Sequence, residues 1–119
     1  MGTPLNISSH VEDGLAVLDI TGDLTLGPSL TTLREAAKKA LDPQKIKGLV
    51  LRVEGVTTTD SAGLGELTVV YTFASKRDCP IAIVGVTPAL RKMLEMTHLD
   101  ALLPSASDVA SAKKQFQDR

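Results

Sequence analysis

The chain has 119 residues and a mass of 12.6 kDa, which suits one compact domain and is too short for two ordinary ones. Its 13 basic and 14 acidic residues give a net charge of −1, which disfavours nucleic-acid binding through a broad basic face. The single cysteine, Cys79, and the absence of a metal-ligand pattern, a long apolar stretch or a secretory signal predict a cytoplasmic protein without a disulfide, metal, cofactor or membrane insertion.

The N-terminal third predicts two antiparallel strands and a helix. Residues 5–12 are mixed in polarity and fit an edge strand, whereas residues 15–20 are mostly apolar and fit a more buried one. Residues 13–14, Asp-Gly, are a turn pair of the hairpin type, so the two strands should be antiparallel neighbours. Residues 21–23 end the second strand, and apolar side chains at helical spacing predict a helix over about 28–41.

The middle of the chain predicts two parallel strands joined by a helix. Residues 48–54 and 80–86 are strand-like, and the second run is almost wholly apolar, which suits a central strand covered on both faces. Between them, residues 61–75 carry an apolar stripe at helical spacing. A strand–helix–strand unit of this length is typical of the crossover in a parallel sheet.

The C-terminal part predicts a third helix that begins at Pro88, a short last strand at 101–103, and a final helix capped by Ser107 or Asp108. The whole order predicts a single α/β domain over residues 1–119. Its central sheet is mostly parallel, with an antiparallel N-terminal edge pair and about four helices.

The segment 57–65, TTTDSAGLG, stands out because it follows a strand and opens a helix. Asp60 or Ser61 can cap that helix, since a side-chain oxygen accepts the unpaired N–H groups of the first turn. Gly63 and Gly65 then lie in the first turns, where each glycine costs up to ~1 kcal/mol relative to alanine. Two glycines there indicate a close backbone approach, either to the sheet or to a visiting molecule.

Two interpretations of this segment remain open from the residues alone. In the first, it is a helix cap followed by tight helix–strand packing. In the second, Ser61 is exposed at the helix N-terminus and accepts a phosphoryl group, which the helix dipole favours. Such a group adds about −1.5 to −2 charges at neutral pH and can abolish docking without unfolding the domain.

Enzyme chemistry is disfavoured by the same residues. The segment lacks the Gly-x-x-x-x-Gly-Lys-Ser/Thr arrangement of a phosphate-binding loop, because no lysine follows Gly65. It also lacks Gly-x-Ser-x-Gly, because Gly63 follows Ser61 at the required spacing but Thr59 stands where the first glycine should be. We therefore expect no catalytic residues in this chain.

Three segments together resemble a STAS domain of the anti-sigma factor antagonist family. The hexapeptide Asp-Ser-x-Gly-Leu-Gly between strand and helix is the most specific mark. The matching segments cover nearly the whole chain: LDITGDLTLGPSLTTL at 18–33, GLVLRVEGVTTTDSAGLGEL at 48–67 and PIAIVGVTPALRKMLEMTHLDALL at 80–103.

The resemblance implies a switch. In the family, the unphosphorylated antagonist binds an anti-sigma factor that is also an ATP-dependent serine kinase, and this binding releases a sigma factor. The kinase phosphorylates the serine directly after the motif aspartate, and a serine phosphatase resets it. That serine is Ser61 here, and the resemblance assigns partner binding to the rest of the motif and to the turn after the second strand: Asp23, Thr25, Asp60, Ala62, Gly63, Leu64 and Gly65.

The chain departs from the family pattern at two positions. Thr25 stands where many phosphorylated antagonists have a second acid, which leaves Asp23 as the acid of that turn. Ala62 stands where a second hydroxyl is common, which leaves Ser61 as the acceptor. The alternative function within the same fold is a STAS subunit that docks on the ATPase of an ABC-type lipid transporter.

Overall fold

A five-stranded mixed sheet forms the centre of the computed structural model, which describes residues 2–43 and 45–118. Neighbours in the sequence are neighbours in the sheet. The strands are β1 (Asn6–Glu12), β2 (Leu15–Leu24), β3 (Gly48–Thr59), β4 (Ile81–Val84) and β5 (Ser105–Ala106). β1 and β2 are antiparallel, and the other three pairs are parallel, which confirms the predicted edge pair and the predicted α/β class.

Four α-helices connect or follow the strands, as predicted. They are α1 (Pro28–Leu41), α2 (Ser61–Lys76), α3 (Pro88–Met96) and α4 (Val109–Gln117). Side-chain oxygens of Asp60, Thr87 and Asp108 cap the last three by accepting a backbone N–H of the first turn. Of the two predicted capping candidates for α4, Asp108 is therefore the one used.

The sheet has a core on each face because apolar residues fill both sides of its central strands. On one face, Leu18 and Leu51 pack with Leu33 of α1 and Leu67 of α2, and all four side chains are fully buried. The smaller core on the other face lies under α4; its buried members are Leu15, Val17, Val50, Ala82, Val84, Val109 and Ala112.

β2 and β3 both continue beyond their predicted ends. β2 runs to Leu24 through the Thr-Gly-Asp sequence that reads as a turn, and its pairing with β3 is irregular between Gly22 and Asp23. Gly22 has a φ of 96°, and a Cβ there would overlap the carbonyl oxygen of Pro4, so this position needs glycine. The extension places Leu24 beside Thr59, the last residue of β3, two positions before α2 begins.

The short last strand is not at residues 101–103, so that prediction is wrong. Residues Leu99–Ala101 form a single 3₁₀ turn, and Leu103 is buried in the main core at 2% exposure. Pairing with β4 begins only afterwards, where Ile83 donates its N–H to the carbonyl of Pro104 at 2.9 Å. Of this apolar run, Leu103 therefore enters the core, whereas Ala101 and Leu102 are exposed, and none of the three forms a strand.

Candidate functional site

The candidate site lies where β2 and β3 end side by side. Asp23 pairs with Thr58, and Leu24 pairs with Thr59, in the last two positions of the parallel ladder. The loop after β2 leads into α1, and Asp60 alone separates β3 from α2. Both stretches that the sequence analysis singled out are thus brought to the same end of the sheet.

Asp60 fixes the two stretches to each other. Its Oδ1 accepts the N–H of Gly63 at 2.8 Å, which caps α2. Its Oδ2 accepts the N–H of Leu26 at 3.0 Å, from the loop after β2. The hydrogen bonds from Leu26 and then from Gly63 hold the pKa of Asp60 below its ordinary value, because they stabilise the charged carboxylate.

Ser61 is the first residue of α2 and is exposed to solvent. Because the 16-residue helix starts at this residue, the positive end of its dipole lies at the serine. The hydroxyl is therefore open to another macromolecule, in a place that favours added negative charge.

The glycines of the motif have different surroundings. Gly63 is buried, and a Cβ there would overlap the carbonyl oxygen of Leu24, so the helix touches the end of β2 at this point. Gly65 is exposed, and a Cβ there would meet nothing within 4 Å. Close packing on the sheet therefore explains Gly63, whereas only open space surrounds Gly65.

The other two motif residues are less exposed than Ser61. Ala62 is half-buried, and Leu64 is buried in the main core at 4% exposure. Leu64 thus contributes packing, and the outer surface of the motif consists mainly of Ser61 and Gly65.

Asp23 and Thr25 take part in contacts within the chain. The carboxylate of Asp23 accepts the N–H of Thr3 at 2.8 Å and the hydroxyl of Thr57. Thr25 is half-buried, and its carbonyl accepts the hydroxyl of Ser29 at 2.6 Å. Asp23 therefore holds the N-terminal segment against the end of β2, which the sequence did not reveal.

Leu26 is a surface residue that the sequence analysis missed. Its side chain is 78% exposed, although the residue is apolar and its N–H is held by Asp60. The available signal is an isolated leucine in a loop, directly before Gly27 and Pro28 at a helix start. Such a residue is commonly interpreted as a hydrophobic contact to the helix, which conceals its exposure.

A charged pair lies behind the exposed face of α2. Arg34 of α1 donates from Nε and from a terminal nitrogen to the two carboxylate oxygens of Glu66, at 2.9 and 2.8 Å. Glu66 is only 4% exposed, and it needs this partner because a buried charge is costly when unpaired. The hydrogen bond and then the charge of Glu66 raise the pKa of Arg34.

We define the docking surface as Leu26, Ser61 and Gly65, together with the half-buried Thr25 and Ala62. It offers the hydroxyl of Ser61, the exposed apolar side chain of Leu26 and, at Gly65, a part of the helix surface that no side chain covers. Within residues 2–43 and 45–118, no three His, Cys, Asp or Glu side chains are grouped as a metal site requires, and no helix has the length and apolar character to cross a membrane.

Comparison with known proteins identifies the family. A family model described as "Mlab, STAS domain" matches residues 9–104. This match covers most of the chain, so the chain belongs to the STAS domain family.

Individual relatives are distant in sequence and similar in length. An "Anti-sigma F factor antagonist" of Paenibacillus polymyxa is 21% identical over 113 residues, which are 95% of this chain and 96% of that protein. The crystal structure of an anti-sigma factor antagonist from Mycobacterium paratuberculosis has 22% identity and a TM-score of 0.83, with 97% of this chain and 96% of that chain covered. The Bacillus cell fate determinant SpoIIAA in its phosphorylated form has 14% identity and a TM-score of 0.68, with 93% and 98% covered.

Proposed function

We propose that this protein is an anti-sigma factor antagonist that acts in the cytoplasm as one STAS domain over residues 1–119. Unphosphorylated, it binds an anti-sigma factor with serine kinase activity and thereby releases a sigma factor. Phosphorylation of Ser61 ends this binding, and a serine phosphatase restores it. The observation that carries the proposal is the exposed hydroxyl of Ser61 at the start of α2.

The chemistry of the switch belongs to the partners. The kinase transfers the γ-phosphoryl group of ATP to Oγ of Ser61, the hydroxyl proton leaves, and ADP is the leaving group. The phosphatase uses water to break the new P–O bond and releases inorganic phosphate. The chain itself supplies an acceptor held on a capped helix, and we propose that it is not an enzyme.

The added charge acts on the docking surface rather than on the core. Ser61 is exposed, so a phosphate there reaches water and leaves the buried side chains unchanged. It would stand beside the Asp60 carboxylate, whose position is fixed by Leu26 and Gly63. Two adjacent negative groups make the electrostatic potential of this surface more negative, whereas Leu26 and Gly65 are uncharged. Charge that does not complement the partner's surface weakens binding.

The remaining motif residues divide into contact and positioning roles in this proposal. Leu26 enters an apolar pocket of the partner, and Gly65 lets the partner backbone approach α2. Asp60 and Gly63 hold the helix start in place, Leu64 anchors it in the core, and Thr25 and Ala62 border the contact. Asp23 contributes by holding the loop and the N-terminal segment.

The direct test uses the anti-sigma factor kinases encoded in the same genome, each purified and incubated with this protein and ATP. Mass spectrometry of the product should place one phosphate on Ser61. The matched control is Ser61→Ala, which keeps the fold and should remain unmodified despite Thr57, Thr58 and Thr59 close by. Phosphate on one of these threonines, or on no residue with any of the kinases, contradicts the proposal.

A second candidate is a STAS subunit docked on the ATPase of an ABC-type lipid transporter. The description of the matching family model favours it, because that description names Mlab and not an antagonist. Affinity purification from cells discriminates between the two, since this candidate predicts co-purification of an ABC ATPase and the first predicts a serine kinase.

A further inference from the structure

The outer edge of β1 is free to pair with another strand. β1 is the first strand of the sheet, so β2 is its one neighbouring strand within the described residues 2–43 and 45–118. In an antiparallel pair, alternate residues of an edge strand direct their N–H and C=O groups away from the neighbour. An edge of this kind is a template for a further strand.

β1 also lacks three of the features that protect exposed edges: proline, lysine and a β-bulge. Its sequence, NISSHVE, contains no proline and no lysine, and its pairing with β2 runs from Asn6 to Glu12 without a bulge. Val11 is 64% exposed on this strand. The acid of the strand, Glu12, is its last residue, so residues 6–11 contain no Lys, Arg, Asp or Glu to oppose pairing at this edge.

The sequence of β1 is self-complementary around Ser9. In an antiparallel pair with a second copy, centred on Ser9, Ile7 lies opposite Val11 and Ser8 lies opposite His10. Asn6 then lies opposite Glu12, so the one acid of the strand faces an amide rather than another acid. This register pairs all seven residues of β1 and places each exposed Val11 against the half-buried Ile7 of the other copy.

We propose that two copies of this chain form a symmetric dimer through antiparallel pairing of their β1 edges. A two-fold axis at Ser9 satisfies the requirement that a closed dimer uses the same surface on both subunits. The result is one continuous ten-stranded sheet made of two five-stranded ones. The interface uses only β1, so it forms whether or not Ser61 carries a phosphate, and its failure would leave the proposed switch unaffected.

Sedimentation equilibrium over a wide concentration range tests the association. The expected result is a mass that rises from 12.6 kDa towards twice that value as concentration increases. Val11→Lys should raise the dissociation constant of the dimer by roughly tenfold or more, because it replaces two apolar cross-strand pairs and adds charge to the edge. Met96→Lys is the control, since Met96 is 71% exposed on α3 and outside the edge.

Disulfide trapping tests the register. Ser9→Cys places two thiols directly opposite each other, with Cβ atoms about 4.5–5.5 Å apart, and should give a covalent dimer on mild oxidation. Ser8→Cys is the matched control on the same strand: its two Cα atoms would be roughly 8 Å apart, too far for a bridge. A protein that stays monomeric at every concentration, a dimer insensitive to Val11→Lys, or equal trapping at positions 8 and 9 overturns the proposal.

Discussion

Leu26 and Asp60 are 34 positions apart in the chain, yet the N–H of Leu26 donates to the Asp60 carboxylate at 3.0 Å. The same carboxylate caps α2 through Gly63. One side chain therefore sets the loop after β2, the helix start and the exposed hydroxyl of Ser61 in a fixed relation. The docking surface depends on this arrangement, because its apolar and polar members come from two segments that the Asp60 carboxylate holds together by hydrogen bonds.

This role of Asp60 predicts a dependence of stability on pH. The pKa of Asp60 is lower in the folded protein than in the unfolded chain, so the carboxylate stabilises the fold above the unfolded pKa of about 3.9, and this stabilisation is lost as pH falls through the folded value. Asp60→Asn keeps a capping oxygen but does not titrate. We expect the free energy of unfolding, measured with urea between about pH 6 and 3, to decrease less on acidification for this variant than for the unmodified protein.

Asp108 provides the internal reference for that experiment. The pKa of Asp108 is also lowered, mainly because its carboxylate accepts the backbone N–H of Ser111. Asp108→Asn should therefore also reduce the loss of unfolding free energy at low pH, without affecting the docking surface. If Asp60→Asn has the same pH profile as the unmodified protein, the carboxylate does not hold the loop and the helix as described.

The two glycines of the motif predict opposite effects of the same substitution. Gly63→Ala should destabilise the fold by about 1–3 kcal/mol, because its Cβ overlaps the carbonyl of Leu24. Gly65→Ala should stabilise it by about 0.5–1 kcal/mol, because alanine favours the helix and the new methyl group meets open space. Denaturant midpoints measure both, and equal shifts would show that the packing of α2 on β2 is not as described.

The sequence predicted the parts of this fold that depend on local chemistry. The Asp13-Gly14 turn predicts the antiparallel pair, and the segment before α2 predicts a helix cap by Asp60 or Ser61, of which the structure uses Asp60. The contacts that shape the site were not predictable, because each joins residues far apart in the chain: Leu26 with Asp60, Thr3 with Asp23, and Arg34 with Glu66. No periodicity or turn signal marks such pairs.

The Arg34–Glu66 pair predicts a strong coupling between α1 and α2. Arg34→Ala should destabilise the protein markedly, because it leaves the Glu66 carboxylate buried without a partner. Replacing both by leucine should recover much of the loss, since no charge then remains buried. A double-mutant cycle of unfolding free energies, built from Arg34→Leu, Glu66→Leu and the double variant, measures the coupling, with Lys39→Ala as the exposed-cation control on α1. Additive effects of the two single changes would contradict the coupling.

The exposed side chain of Leu26 predicts an apolar contact with the partner kinase. Leu26→Ser should raise the dissociation constant at least about tenfold, because apolar anchors at the centre of an interface carry much of the binding energy. Met96→Ser is the matched control, since Met96 is 71% exposed and lies at the far end of α3. Isothermal titration calorimetry measures both, and equal affinities for the two variants would remove Leu26 from the interface.

The central claim is that a phosphate on Ser61 prevents docking while the fold stays intact. Its most direct test compares the phosphorylated and unmodified proteins by titration calorimetry with the same kinase, with thermal unfolding measured in parallel. We predict that the phosphorylated form binds at least about a hundredfold more weakly, since like charge at an interface costs several kcal/mol, and that its unfolding temperature is nearly unchanged. Equal affinity of the two forms, or loss of binding together with unfolding, would contradict the claim.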